Sequence, residues 1–361
     1  MKIAILADNI DHKINIGQYT YAFNLISGFG KIGVDHTLLY ADIPKQTNYK
    51  NSPKASYRFL KLPFLNKHLR SRLINSKASK FDILHLLTSG DMPLKCSRAK
   101  MVVTLHDVIP FKHPEFYSKH TLSYIIEEIK EIVKVADALI TVSEHSKKDI
   151  MEIFDYDPAR INVIYLGIDP DIFSKKDIPR LVSEEYILYV GGLAPRKGLL
   201  YLLKAFRKIK KHLPHQLLLI DSGGWNDKNI YKLISEHDLT DRVFLGTAKT
   251  LEEMANYYNH AEMLVFPSLY EGFGLPPLEA MACGCPVLTS ANTSLKELYE
   301  GYAIMLNPQD IERLAENILE LLGNAALRNK LIERGLSLSR RLNQENMARE
   351  TVNVYERILR D

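Results

Sequence analysis

Two doubly wound α/β domains are predicted for this chain, on three observations. Short apolar strands alternate with helix-spaced segments along nearly the whole sequence. The alternation runs twice, interrupted by a polar, Pro-marked stretch at residues 169–184. The length of 361 residues is large for one core and suits two domains of roughly 150–180 residues each.

In the first series strands are predicted at residues 3–7, 36–40, 83–87, 101–105, 138–142 and 162–165. Helical spacing falls at 19–29 and 122–135, and Ser143 opens a further helix through Ile150. The second series places strands at 186–190, 216–220, 242–245, 263–266 and 286–288. Its helices fall at 199–211, 230–237, 251–258 and 275–283, followed by 311–322, 325–340 and 345–359. In the last of these Ala348, Val352, Tyr355 and Leu359 form one apolar stripe. The expected division is an N-terminal domain at 1–168, a linker at 169–184, a second domain at 185–343 and a terminal helix at 344–361. Ligands of open α/β sheets bind outside the carboxyl ends of the strands, so a cleft between the two domains is the place to look.

A hydrophobic content of 46% with 25% charged residues is that of a soluble globular protein, and no apolar run approaches a membrane span. The opening Met1-Lys2-Ile3-Ala4-Ile5-Leu6-Ala7-Asp8 is too short and too soon acidic for a signal peptide and reads as a buried strand. Cys96, Cys283 and Cys285 give neither a disulfide framework nor metal-ligand spacing, which points to the cytoplasm. The net charge is only +4, but residues 43–81 contain no acid and ten Lys or Arg between Lys45 and Lys80. Such a segment, interleaved with Leu and Phe, is read as a peripheral contact with an anionic inner-membrane face or an anionic acceptor; the alternative is a solvated helix face packed on its domain.

The chemistry concentrates at Glu271-Gly272-Phe273-Gly274-Leu275-Pro276-Pro277-Leu278-Glu279, which follows the strand ending at Phe266-Pro267-Ser268. Two carboxylates flank a Gly-rich turn that runs into a helix. A helix start suits a phosphate and carboxylates suit sugar hydroxyls, so the pattern fits a nucleotide sugar. Tyr189-Val190-Gly191-Gly192-Leu193-Ala194-Pro195-Arg196-Lys197-Gly198 is a second strand-to-turn segment, ending in two cations able to hold phosphate. Thr104-Leu105-His106-Asp107 closes a strand in the first half, and Gly17-Gln18-Tyr19-Thr20 follows the first strand after a polar loop containing His12.

The segment from Glu271, with the flanking Phe266-Pro267-Ser268 and the downstream Met281-Ala282-Cys283-Gly284-Cys285-Pro286-Val287, resembles the signature of the family 4 glycosyltransferases, retaining nucleotide-sugar enzymes of the GT-B fold. The resemblance spans nearly the whole chain and is strongest from Tyr186 to Asp310. It implies a last helix that crosses back to the first domain, and domain closure hinged at 167–184. It places Glu271 on the donor sugar, Gly272, Phe273, Gly274 and Leu275 along sugar and phosphates, and Glu279 on the ribose. Arg196 and Lys197 stabilise the leaving diphosphate. Gly17, Gly191, Gly223, Thr247 and Leu251 complete the donor site, with Trp225 near the base and Asn292-Thr293-Ser294 donating to the diphosphate. His106 contacts the donor sugar, while His12, Tyr19, Asp107 and Tyr117 border the acceptor and Ser143 either touches it or caps a helix.

Three positions depart from the family. Gly192 stands where an Arg is common, leaving Arg196 as its substitute, and Ile16 replaces one of the paired glycines. The frequent Trp ahead of the last helix is absent from residues 342–344, which predicts looser docking of that helix.

The implied reaction is hexose transfer to a glycan or lipid-linked hydroxyl in surface polysaccharide or glycoconjugate assembly. GDP-mannose is the first expected donor and a UDP-sugar the second, with no metal, no cofactor and no nucleic-acid partner. Open alternatives are a nucleotide-sugar epimerase, a phosphorylase-like enzyme, for which no pyridoxal phosphate lysine is identifiable, and a non-enzymatic carbohydrate- or nucleic-acid-binding protein.

Overall fold

The computed structural model describes residues 1–8, 10, 16–42, 44, 49–56, 67–88, 98–221 and 227–360. These form two compact units, Met1–Gly167 with Gln344–Asp361, and Ile168–Asn343.

In the first unit the chain runs β1 (Ile3–Leu6), α1 (Ile16–Lys31), β2 (His36–Tyr40), β3 (Lys54–Ser56), α2 (Lys67–Ala78), β4 (Ile83–Leu86) and β5 (Lys100–Thr104). It continues through α3 (Ile109–Lys112), α4 (Lys119–Val135), β6 (Ala138–Thr141), α5 (Glu144–Ile153) and β7 (Ile161–Val163). Among the described residues these strands make one parallel sheet of order β3-β2-β1-β4-β5-β6-β7. β1, β4 and β6 are buried at every position, as parallel strands covered on both faces must be. Ala4, Leu6, Leu84, Leu86, Met101 and Val103 pack against Ile74 and Ala78 of α2 and Ile129, Ile132 and Val133 of α4.

The second unit runs β8 (Tyr186–Val190), α6 (Leu199–Ile209), β9 (Gln216–Asp221), α7 (Asp227–Glu236), β10 (Val243–Thr247), α8 (Leu251–His260) and β11 (Met263–Phe266). It ends with α9 (Leu275–Ala282), β12 (Val287–Ser290), α10 (Thr293–Tyr299), β13 (Ile304–Leu306), α11 (Ile311–Gly323) and α12 (Ala325–Arg341). Its parallel sheet has the order β10-β9-β8-β11-β12-β13. In each sheet the order reverses once, at β1/β4 and at β8/β11, and such switch points open a crevice outside the strand ends.

The final helix, α13 (Gln344–Arg360), belongs to the first unit and lies against α1. A Cβ on Gly28 of α1 would stand 2.4 Å from the Gln344 carbonyl oxygen, so the two backbones approach where only glycine fits. The expectation of loose docking is therefore overturned: the glycine supplies closeness that no Trp is needed for. The buried stripe also differs from the predicted one. Gln344, Met347, Ala348, Thr351, Tyr355 and Ile358 face inward while Leu359 is exposed, because the helix turns Ile358 rather than its neighbour to the core.

Residues 169–184 were expected as a linker, but they fall within the second unit and are tied to α8. Asn259 accepts from the Lys176 N–H at 2.7 Å and donates to the Ser174 carbonyl at 3.0 Å, and Asn256 donates to the Pro179 carbonyl at 2.9 Å. The passages between units are instead at Gly167/Ile168 and Asn343/Gln344, where the Ile168 N–H donates to the Leu342 carbonyl. The sequence reading also missed β3, β13, α3 and α10, and placed α2 only as the alternative helix face of the basic segment. The two strands are three residues long, and α10 opens on Asn-Thr-Ser, which reads as a loop.

Candidate active site

The carboxyl ends of β8 and β11 carry the loops that hold Arg196, Lys197 and Glu271. The Lys197 ammonium lies 2.6 Å from Glu271 Oε1 and the Arg196 guanidinium 3.3 Å from Oε2. Ser268, fully buried, donates its hydroxyl to Oε1 at 2.5 Å. Burial alone would push the Glu271 carboxyl up; the Lys197 and Arg196 charges and the hydrogen bonds from Lys197 and Ser268 outweigh it and hold the group below its usual range. The loop backbone is fixed as well. Arg196 donates to the Tyr270 carbonyl, Asn292 to that of Leu269 at 2.9 Å, and Ser294 to that of Glu271 at 2.8 Å.

Gly274 caps α9 at φ +89°, a left-handed conformation, and a Cβ there would stand 2.6 Å from Leu295. Tyr299 donates to the Gly274 carbonyl at 2.7 Å. Pro276 and Pro277 occupy the first turn and carry no N–H, so this helix start presents fewer donors than a helix of ordinary sequence. Anion binding here rests on Leu275, the preceding loop amides and the two cations. On the same helix Glu279 is buried and accepts from the Tyr258 hydroxyl at 2.9 Å. Desolvation lifts its carboxyl to about 7, against the lowering effect of that hydrogen bond.

In the first unit, His106 lies just past the end of β5, half-buried, with Nε2 3.2 Å from the Leu87 carbonyl oxygen. The Tyr21 ring of α1 meets the His106 ring edge-on, with centroids 4.7 Å apart. Desolvation lowers the His106 imidazole to about 4, partly offset by the Leu87 hydrogen bond, so the ring is neutral at pH 7.

Comparison with known proteins decides what this arrangement belongs to. A family model described as Glycosyltransferase Family 4 matches residues 17–172, and one described as Glycosyl transferases group 1 matches residues 171–337. The MMP alpha-(1->4)-mannosyltransferase of Mycolicibacterium hassiacum is 30% identical over 305 residues, covering 80% of this chain and 74% of that protein. The chain belongs to the family 4 glycosyltransferases. The O-antigen chain mannosyltransferase B of Escherichia coli is 29% identical over 383 residues, covering 99% of this chain and all of that one. Among solved structures, a sucrose-phosphate synthase from Thermosynechococcus elongatus superposes with TM-score 0.77 at 22% identity, covering 100% of this chain and 99% of that one. The fold is thus the GT-B fold of nucleotide-sugar glycosyltransferases, and the chain is a hexosyltransferase.

The glycosyltransferase chain gathers some expected residues and reassigns others. Arg196, Lys197 and Glu271 form one cluster, with Gly272, Phe273, Gly274 and Leu275 following it into α9. Gly191 directly follows β8, Thr247 ends β10, and Leu251 is the first residue of α8. Gly17 was expected in a glycine loop but lies in the first turn of α1, where a Cβ would meet nothing within 4 Å. Ser143 was expected either to touch the acceptor or to cap a helix; it is fully buried and caps α5, accepting from the Ser146 N–H at 3.0 Å. Asp107 accepts from the Ile109 N–H at 3.1 Å at the start of α3. Asn292 caps α10 and Thr293 and Ser294 begin it, with Asn292 and Ser294 bracing the Glu271 loop. Tyr19 and Tyr117 are partly exposed in the first unit. His12, Gly223 and Trp225 lie outside the described residues.

Sequence reasoning missed Ser268, Tyr258 and Tyr299, which hold the two carboxylates and the glycine turn. The signal for Ser268 was its place three residues before Glu271, on the exit from β11. Nothing local marks the tyrosines, whose partners lie on other elements.

Proposed function

We propose that the chain moves a hexose from a nucleotide diphosphate sugar to a hydroxyl of a glycan or lipid-linked acceptor, with retention at the anomeric carbon and without metal or other cofactor. The observation that carries this reading is the Arg196–Glu271–Lys197 cluster outside β8 and β11. A departing diphosphate needs its growing charge met, and fixed cations with loop amides meet it without reorganisation. Glu271, kept ionised by its neighbours, accepts from the donor sugar hydroxyls. Glu279, titrating near 7, both donates and accepts, which fits a pair of ribose hydroxyls. His106, neutral and with its one N–H held by the Leu87 carbonyl, offers the lone pair of its other ring nitrogen to a donor sugar hydroxyl. The acceptor attacks from the face the diphosphate leaves, and a phosphate oxygen takes its proton.

Mannose as the sugar is supported by the similarity to the two mannosyltransferases, which makes GDP-mannose the first donor. A UDP-sugar is second, supported by the Anabaena HepE structure, solved with UDP-glucose, which superposes with TM-score 0.75 at 18% identity and covers 98% of that chain. Melting temperature measured with UDP, GDP, ADP and dTDP tests both. A nucleotide at a hundred times its Kd stabilises the fold by about 2.7 kcal/mol. GDP is expected to do so; a shift with UDP alone reassigns the donor, and no shift with any of them ends the nucleotide-sugar reading.

Peripheral contact with an anionic bilayer through residues 45–80 is part of the same proposal, supported by the charge of that segment. Ile74 and Ala78 of α2 face the core, so α2 would contribute basic side chains and not an inserted apolar face. No helix among the described residues is long and apolar enough to cross a membrane. Recruitment to anionic vesicles is accordingly expected at low salt and lost at high salt; recruitment that ignores salt contradicts it.

A further inference from the structure

A run of buried hydrogen-bonded side chains crosses the first unit and ends against His106. The Tyr355 hydroxyl of α13 lies 2.5 Å from His85 Nδ1 on β4. His85 Nε2 lies 2.8 Å from Thr104 Oγ1 on β5, and that oxygen lies 2.8 Å from the Tyr21 hydroxyl of α1. The Tyr21 ring then packs edge-on against the His106 ring at 87°. Tyr355, His85 and Thr104 have no exposed surface and Tyr21 has 2%. The other support of His106, the Leu87 carbonyl, is two residues beyond His85 on the same strand exit.

Stability does not explain such a run. Four polar side chains taken out of water cost their hydration, and an apolar replacement of the same shape is often neutral or better. What a satisfied polar network does supply is one fixed arrangement. His85 is neutral, since burial and the nearby His106 lower it to about 3, so its single ring proton gives the run one of two polarities. Either way each ring and hydroxyl is constrained by its neighbours.

We propose that Tyr355, His85, Thr104 and Tyr21 are positioning residues that hold the His106 imidazole in its working orientation, so that α13 supports the chemistry of the strand ends. The role in transfer rests on His106 serving the donor, as proposed above.

The test uses the full chain with 15N-labelled histidine and the donor of whichever nucleotide stabilises it. Thr104→Val deletes both hydrogen bonds of Thr104 at constant volume, while Thr104→Ser keeps the hydroxyl. In Thr104→Val the His106 ring resonances are expected to move and kcat to fall roughly 10–100-fold with donor KM changed less than about threefold, whereas Thr104→Ser stays within about threefold of the parent. Tyr355→Phe, which removes one oxygen, shifts both readouts in the same direction and carries the test should Thr104→Val fold poorly. Unmoved His106 resonances in both variants, or equal losses in Thr104→Ser and Thr104→Val, overturn the proposal. His106→Ala in the same assay reads the underlying function separately: full turnover there removes the role of His106 itself, while the resonances still report whether the run holds the ring.

Discussion

The Lys197 ammonium sits 2.6 Å from Glu271, so a diphosphate arriving at that cation competes with a carboxylate already there. Removing the charge but not the shape separates the two roles. In Glu271→Gln the cations lose their counter-charge, so nucleoside diphosphate affinity is expected to hold or tighten, while transfer drops about 100–1,000-fold from loss of the sugar contact. Calorimetric titration beside turnover checks this; a Kd that weakens in step with the rate defeats the competition argument. Lys197→Ala is expected to lose both binding and turnover with little loss of folding, since Arg196 and Ser268 still hold Glu271. At this scale the charged groups were legible because their spacing around glycine turns is local. Ser268 was not, since a hydroxyl beside a proline commonly caps a turn, and Tyr258 was not, because its partner Glu279 is 21 residues away and brought near only by α8 packing on α9.

Of the three glycines in helix α1, Gly17 and Gly28 have opposite surroundings, and the same substitution at each should have opposite sign. At Gly17 an added Cβ meets nothing within 4 Å, so Gly17→Ala gains helix propensity, up to about 1 kcal/mol. At Gly28 it meets the Gln344 backbone at 2.4 Å, so Gly28→Ala forces α1 and α13 apart and costs about 1–3 kcal/mol despite the better propensity. Denaturant unfolding of both variants measures the pair, and a stabilising Gly28→Ala would mean the helices are not in that contact. Since the fold does not demand glycine at position 17, lost transfer in a stable Gly17→Ala would assign that glycine to ligand approach. Most elements were legible from their apolar period, because parallel strands buried on both faces read as short continuous runs. The face of α13 was only half legible: Ala348 and Tyr355 are buried as predicted, but the approach at Gly28 is a three-dimensional fact with no signature beside residue 344.

Across the whole molecule, between pH 7 and pH 5, the buried histidines of the first unit and Glu279 of the second respond to pH with opposite sign. In the first unit burial lowers His36, His85 and His106, so the unfolded chain takes up protons below about pH 6.5 that the folded unit refuses. Its stability is full above that pH and falls as the solution is acidified toward the folded values. For His85 alone, about 3 in the fold, the loss between pH 7 and pH 5 is about 2 kcal/mol. Glu350, raised by burial on α13, works the other way with a smaller displacement. In the second unit Glu279 is raised to about 7, so between pH 7 and about 4.5 the folded unit binds a proton the unfolded chain releases. That unit gains on acidification over the same window, by about 2 kcal/mol at pH 5. Glu271, held below its usual range, adds its opposing slope only below about pH 4.5. Hydrogen exchange followed by peptide, corrected for the intrinsic rate, separates the units: protection across β4 and β5 should fall from pH 7 to pH 5 while that across α9 and β12 rises. Glu279→Gln should abolish the rise and leave the fall unchanged. Parallel slopes in both regions would show that another group governs the pH response.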